Sequence, residues 1–363
     1  MKLGKCIVLI FTLAILLRGL VALGADTALD ALLQTAIGDG DALESTVLRQ
    51  SSLLMATADG GTAPEPIPVL YQAEPPAEPV CEGPPPPPPP IQLPIYRSSR
   101  AERIPEVTLT DGDPRWSIAD IHIRNHTTYT IDPAALLEAP LSFTPDVHGE
   151  PPTVLILHTH GSESFEPDGD DWYDNVDNYR TSDKNLNIIR VGAEIAAVFE
   201  ARGIRVIHHR EIHDYPSFRG SYGRSLAAAE QYLAKYPEIQ VIFDIHRDAI
   251  LDAAGNYVKT MANIEGIQSA QVMLVVGTDH AGLYHPNWRN NLQFALHLQA
   301  SMVARYPGLA RPLSLREERF NAHLTPGSVL VEIGACGNTL QEALIASRFF
   351  AEAAADVLLA INN

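Results

Sequence analysis

The run TVLILHTHGSESFEP, Thr153 to Pro167, starts as an apolar strand and ends in two histidines one residue apart, a glycine and Glu163. Two other apolar runs break the same way: IQVIFDIH closes on His246, and SVLVEIG carries Glu332 inside it. A carboxylate within such a run costs several kcal/mol unless it is paired or metal-bound. Two histidines and a carboxylate around Zn²⁺, with a fourth position open to water, suit amide hydrolysis. The metal brings the pKa of water to ~7, and a nearby carboxylate carries the proton to the leaving amine. Glu332 suits that carrier role. Residues i and i+2 of a strand share a face, so His158 and His160 are expected to approach one ion. Against these stand plainer readings: a strand-end histidine bonded to backbone, and a Glu332 paired with an arginine.

Covalent and nucleotide chemistry find less support. There is no G-x-S-x-G elbow, no Walker or dinucleotide fingerprint, and no activating partner for Cys336. His208, His209 and His213 form a cluster that suggests a metal, but nothing in the strand-end reasoning brings them to the same place, and they are set aside. Arg219 and Arg224 read as solvated helix-surface residues.

What must position these residues is a sheet. TVLILHT, IRVIHH, IQVIFDIH, AQVMLVVG and SVLVEIG have strand length, and between them lie segments of helical period such as KNLNIIRVGAEIAAVFEARG and TLQEALIASRFFAEAAADVLLAIN. WSIADIHIRNHTTYTID reads as a further strand-like pair ahead of them. The expected fold is α/β, three-layered, with a mainly parallel twisted sheet and helices on both faces. Ligands of such sheets bind beyond the carboxyl ends of the strands, where His158, His160, His246 and Glu332 would converge.

Ahead of this domain the composition changes. Residues 1–25 hold two lysines, an apolar run and Arg18, which predicts an export signal, either a signal-anchor or a cleaved signal peptide. The chain is accordingly expected outside the cytoplasm, held to the membrane by that segment or secreted if it is cleaved. Residues 26–103 are rich in Ala and Pro, with seven consecutive prolines at 84–90, and predict a disordered stalk; residues 104–363 form the catalytic domain. The net charge of -18 argues against a nucleic-acid partner. Of the three cysteines, a Cys81–Cys336 bridge is conceivable, but two free thiols are expected because Cys81 lies in the stalk.

VLILHTHGSESF, NIIRVG, HDYPSFRGSYGRS, YLAKYPEIQVIFDIHRDAI, VMLVVGTD and LTPGSVLVEIGACGNTLQEA together resemble the stage II sporulation protein P family, in the family's order. The resemblance runs from about Asn125 to the C-terminus. It implies a membrane-anchored, zinc-dependent peptidoglycan hydrolase, an N-acetylmuramoyl-L-alanine amidase with cross-link endopeptidase activity also credited to members. It implies Zn²⁺ on His160, His246 and a carboxylate, with Glu332 as the catalytic base. Glu163 is favoured as that carboxylate and Asp183 is the alternative. His158 is then a supporting or substrate contact, Arg247 a candidate for a substrate carboxylate, and Asp248 a candidate for fixing the ligand histidine. A lytic transglycosylase and a membrane protein of the engulfment machinery are the partners implied. A non-catalytic wall-binding scaffold and another metal hydrolase, such as a polysaccharide deacetylase, are the competing functions.

Overall fold

The computed structural model describes residues 102–166, 172–173, 180–253 and 255–361. Cys81 and the segments expected to be an export signal and a stalk lie outside these residues. Among the described residues no helix is long and apolar enough to cross a membrane. Cys336 is a buried free thiol.

In chain order the elements are β1 (Glu102–Arg103), β2 (Glu106–Val107), β3 (Ile123–Asn125), α1 (Pro133–Glu138), β4 (Val154–Leu157), β5 (Trp172–Tyr173), α2 (Ile188–Ala201) and β6 (Val206–His208). There follow α3 (Ser221–Lys235), β7 (Val241–Asp248), β8 (Lys259–Ile264), β9 (Ile267–Ala270), β10 (Val272–Gly277), α4 (Trp288–Arg305), β11 (Leu313–Arg316), β12 (Gly327–Ala335) and α5 (Leu340–Ile361). The main sheet has seven strands in the order β3-β11-β10-β12-β7-β4-β6.

The sheet is mainly parallel, as expected, with one reversal. Strands β12, β7, β4 and β6 run the same way. Strands β10, β11 and β3 also share a direction, but β10 lies antiparallel to β12. The VMLVVG run therefore ends at the edge away from His246 and Glu332. The reversal follows from an element that periodicity hid, the β8–β9 hairpin. Its turn residues Glu265 and Gly266 both have positive φ, 52° and 89°, the conformation that joins hairpin strands most tightly. Its buried residues include Lys259, Thr260 and Ser269, so the alternation of polar and apolar residues does not mark it. The four-residue β11 escapes notice for want of length. Of the strand pair expected in WSIADIHIRNHTTYTID only β3 forms, because Asn125 turns on itself, its Oδ1 accepting from Thr127 N at 2.9 Å.

Every residue of β4 is buried, as a strand covered on both faces requires. Val154 and Ile156 join the large core beneath α2, α4 and α5. Leu155 and Leu157 face the smaller cluster with Ala229 and Leu233 of α3. Helix α5 packs against both α2 and α4, so the three layers are α3, the sheet, and the remaining helices. A reciprocal cap starts α5: Thr339 N donates to Glu342 Oε2 at 3.0 Å, and Glu342 N to Thr339 Oγ1 at 3.2 Å. Since β12, β7, β4 and β6 are parallel, their carboxyl ends meet along one edge.

Candidate active site

Parallel pairing sets His246 of β7 beside Glu332 of β12. The register then slips between Glu332 and Ala335. Gly334 takes φ of 70° there, and a Cβ on it would stand 3.0 Å from the Ala270 Cβ. A bulge of this kind re-aims side chains at a strand end. Asp244 lies two residues before His246, on the same face of β7. Its carboxylate accepts from Thr159 N at 2.8 Å and from Thr159 Oγ1 at 2.7 Å, which bends the chain away from the line of β4. His160 thereby reaches His246, with ring centroids 5.2 Å apart and planes at 84°. Its other faces meet Phe218, stacked at 4.4 Å, and Tyr222, edge-on at 5.5 Å. The Arg180 guanidinium covers the exposed Phe218 ring at 4.9 Å.

Charge is concentrated here. His246 Nδ1 stands 3.5 Å from Glu163 Oε2, and its Nε2 stands 2.9 Å from Asp244 Oδ1. Burial alone would lower the His246 pKa, but the two carboxylates outweigh it and hold it well above the ordinary value. Burial would likewise raise Glu163; His246, Arg247 and His160 hold it below the carboxylate range instead. For His160 burial outweighs the pull of Glu163, with His246 and Arg180 adding to it, and pushes the ring down to about 3, so it is neutral. Glu332 behaves in the opposite way to Glu163. Burial, then Asp248, push it up to about 8 against the pull of His246 and Arg311. The residue keeps some solvent contact, while its Oε2 is sealed and makes no hydrogen bond.

Residues 111–355 match the family described as stage II sporulation protein P (SpoIIP). The chain belongs to that family. Stage II sporulation protein P of Bacillus subtilis (strain 168) is 30% identical over 222 residues, 58% of this chain and 51% of that protein. The chain thus spans about half the length of this curated relative. Among solved structures it is similar to the N-acetylmuramoyl-L-alanine amidase AmiC2 of Nostoc punctiforme, at 13% identity and a TM-score of 0.36 over 58% of this chain and 98% of that one. The CwlD amidase from Clostridioides difficile, in complex with the GerS lipoprotein, is similar to the same extent: 13% identity, TM-score 0.36, 58% and 98% coverage.

Of the residues that the SpoIIP resemblance marked, the structure gathers His160, Glu163, His246 and Glu332. Others it places elsewhere. Asp183 is exposed and turns inward on its own loop, accepting from Asn185 N at 2.9 Å. Asp248 does not fix His246. Its Oδ2 pairs with buried Arg311 at 2.9 Å and its Oδ1 accepts from Ala249 N, while Asp244 and Glu163 flank the histidine. Arg247 is only 4% exposed, too enclosed to meet a substrate carboxylate. Its Nε donates to Ser164 O at 2.9 Å and its backbone N to Glu163 Oε2 at 3.2 Å, so it clips the Glu163 loop onto β7.

His158 and His160 do not share a face, because β4 ends at Leu157. His158 is fully enclosed and burial pushes its pKa down to about 4, so it is neutral and cannot touch substrate. A carbonyl can only accept, so Nδ1–H of His158 donates to Ile245 O at 3.0 Å. Its Nε2 must then accept from His208 Nε2–H at 2.9 Å, and His208 Nδ1 accepts from Arg210 Nε at 3.2 Å. This chain of neutral rings braces the residue next to His246. Gly192 of α2 makes room for it: a Cβ there would stand 2.5 Å from His158 Cε1 and 2.8 Å from His208 Nε2. Gly192→Ala is expected to lose about 1–3 kcal/mol by overpacking, read as a lower urea midpoint; an unchanged midpoint would show that the histidine pair can give way.

Three contributors went unseen in the sequence. Asp244 could have been found, since it interrupts an apolar run just as Glu332 does. Asp214 and Arg180 carry no such signal, lying in loops. Asp214 accepts from Ser162 N at 3.0 Å and Ser162 Oγ at 2.6 Å, ion-pairs with Arg180, and lies 4.0 Å from His160 Nδ1.

The residues fit a divalent cation in type and in burial. His160 Nδ1 is sealed from solvent and makes no hydrogen bond, and His246 turns its Nδ1 toward Glu163 Oε2 at 3.5 Å while Asp244 stands 2.9 Å from its Nε2. Beside them Glu163 supplies an ionised carboxylate, the hard partner that two imidazoles lack. Yet the donors of these three are less tightly gathered than another set. Among the described residues, His209, Glu211 and His213 have one donor each within 4.8 Å of one another. Burial pushes the Cys336 thiol up, which removes it as a nucleophile.

Proposed function

We propose that the domain is a metal-dependent amidase of cell-wall peptidoglycan, cleaving the bond between the lactyl group of N-acetylmuramic acid and the L-alanine of the stem peptide, in sporulation. Membership of the SpoIIP family supports this reading, and one observation carries it. A carboxyl pushed up to about 8 stands in register beside a histidine flanked by two carboxylates. Such a pairing of unlike pKa values is what proton transfer at neutral pH needs.

His160, Glu163 and His246 would hold the cation, zinc being the ion that suits this donor set. When bound, it supplies Lewis acidity toward an amide carbonyl and toward water. The remaining work falls to the chain. In its ionised form Glu332 takes a proton from water and returns it to the departing alanine nitrogen. Asp244 keeps His246 aligned and is itself held by Thr159. Phe218 and Arg180 form the rim, an apolar floor next to a cation with its side chain 33% exposed, and these suit a sugar or peptide edge carrying a carboxylate. Held outside the cytoplasm by its N-terminal segment, the domain would meet its polymer at the membrane face; this placement rests on the sequence alone.

The purified full-length chain, given peptidoglycan, should release stem peptides that bear a free N-terminal alanine. A chelator should stop the release and added Zn²⁺ restore it. Binding without turnover would favour a scaffold, acetate as product a deacetylase, and undiminished release in chelator would remove the metal from the reading.

A further inference from the structure

The segment from His209 to Asp214, HREIHD, leaves the end of β6 at the same edge as the active site, and only its last residue, Asp214, takes part in that site. His209 and His213 are both buried, at 6% and 2% exposure. Their rings stack with centroids 5.0 Å apart, and their Nε2 atoms face each other at 3.1 Å. Two nitrogens bound to one tetrahedral ion at ~2.0–2.1 Å stand about 3.3 Å apart, so the pair is set at that spacing. Glu211 brings Oε2 to 3.7 Å from His209 Nε2 from a side chain that is 59% exposed. Tyr232 OH lies 3.2 Å from His209 Nδ1 and Arg224 Nε donates to His213 O, supports of the kind that orient metal-binding imidazoles and their backbone.

We propose that His209, Glu211 and His213 form a second divalent-cation site, separate from the one at His160, Glu163 and His246, for a zinc-like ion that takes two imidazoles, one carboxylate and water. The bound ion clamps the loop that shapes the active site. That loop lies against Gly161, where a Cβ would meet Ile212 Cα at 3.1 Å and Glu211 O at 3.2 Å. It ends in Asp214, which holds Ser162 and Arg180 and faces His160. Pinning residues 209, 211 and 213 therefore fixes the carboxylate one residue further on.

The test is metal stoichiometry of the full-length chain, equilibrated with excess Zn²⁺, desalted and measured by elemental analysis. Two equivalents are expected. His160→Ala/His246→Ala should retain one, and His209→Gln/His213→Gln should also retain one. Glu211→Gln, at an exposed position that leaves the fold intact, should weaken one of the two affinities at least about tenfold, and it decides the question if the histidine variants do not fold. One equivalent in the wild type that disappears in His160→Ala/His246→Ala overturns the proposal, as does unaltered binding by Glu211→Gln. One equivalent lost only with His209 and His213 upholds this site and instead removes the metal from the active-site reading.

Discussion

Glu332→Gln is expected to reduce kcat by about 10²–10⁴-fold while leaving the fold and the metal content as they are. Gln has the shape of a protonated Glu, and a carboxyl pushed up to about 8 is protonated through much of the neutral range. The substitution therefore removes the proton carrier without opening a cavity or stranding a charge. Stability gives an independent reading of the same group. Between its ordinary value of 4.5 and about 8 the folded chain keeps this proton while the unfolded chain loses it. The folded state then binds more protons, so stability falls as pH rises through that window and levels off above it. In Glu332→Gln this slope disappears, and the variant should exceed wild type at pH 8 on the order of 4 kcal/mol, with equality near pH 4. Urea titrations at the two pH values measure the difference, and muropeptide release measures the rate. Substantial turnover by the variant would take Glu332 out of the chemistry, whatever the titrations show.

The residues that were legible in the sequence have a common physical origin. Glu332 and His246 interrupt runs that a covered parallel strand would otherwise keep apolar, so the anomaly and its address at a strand end can both be read from one segment. The strands themselves are legible for the same reason. What the sequence hides is where the chain departs from its period. The two-residue rule fails for His158 and His160 because Asp244, from another strand, seizes Thr159 and ends β4 early. Glu163 in the loop after β4 and Asp183 ahead of α2 both look able to supply the carboxylate, yet only Glu163 is drawn inward, by Arg247 N and His246. The β8–β9 hairpin buries Lys259 and Thr260, which no hydrophobic pattern would mark. Each failure is a side-chain contact between segments far apart in the chain.

His246→Ala should have the largest combined effect, because it removes a proposed ligand from the metal-loaded chain and, from the metal-free chain, the positive partner of two buried carboxylates. Muropeptide release is expected to fall to background and one equivalent of metal to be lost. Glu163 and Asp244 would then face each other's charge without an imidazole between them. Removing one partner of a buried charged group costs about 3–5 kcal/mol, less whatever is recovered when one carboxyl takes up a proton. The pH dependence separates this from a simple cavity. In wild type, His246 has a raised pKa, so its contribution is complete below 6.5 and fades only as pH climbs through that raised value. Glu163 and Asp244 are lowered, so theirs is complete above about 4.5 and fades toward acid. The two windows overlap from about pH 4.5 upward into the neutral range, and the deficit of His246→Ala should be widest there. Below pH 4 it should shrink to the packing loss alone, as the orphaned carboxylates protonate. A deficit that is the same at pH 4 and pH 6.5 would mean that His246 stabilises the fold by its volume and not by its charge.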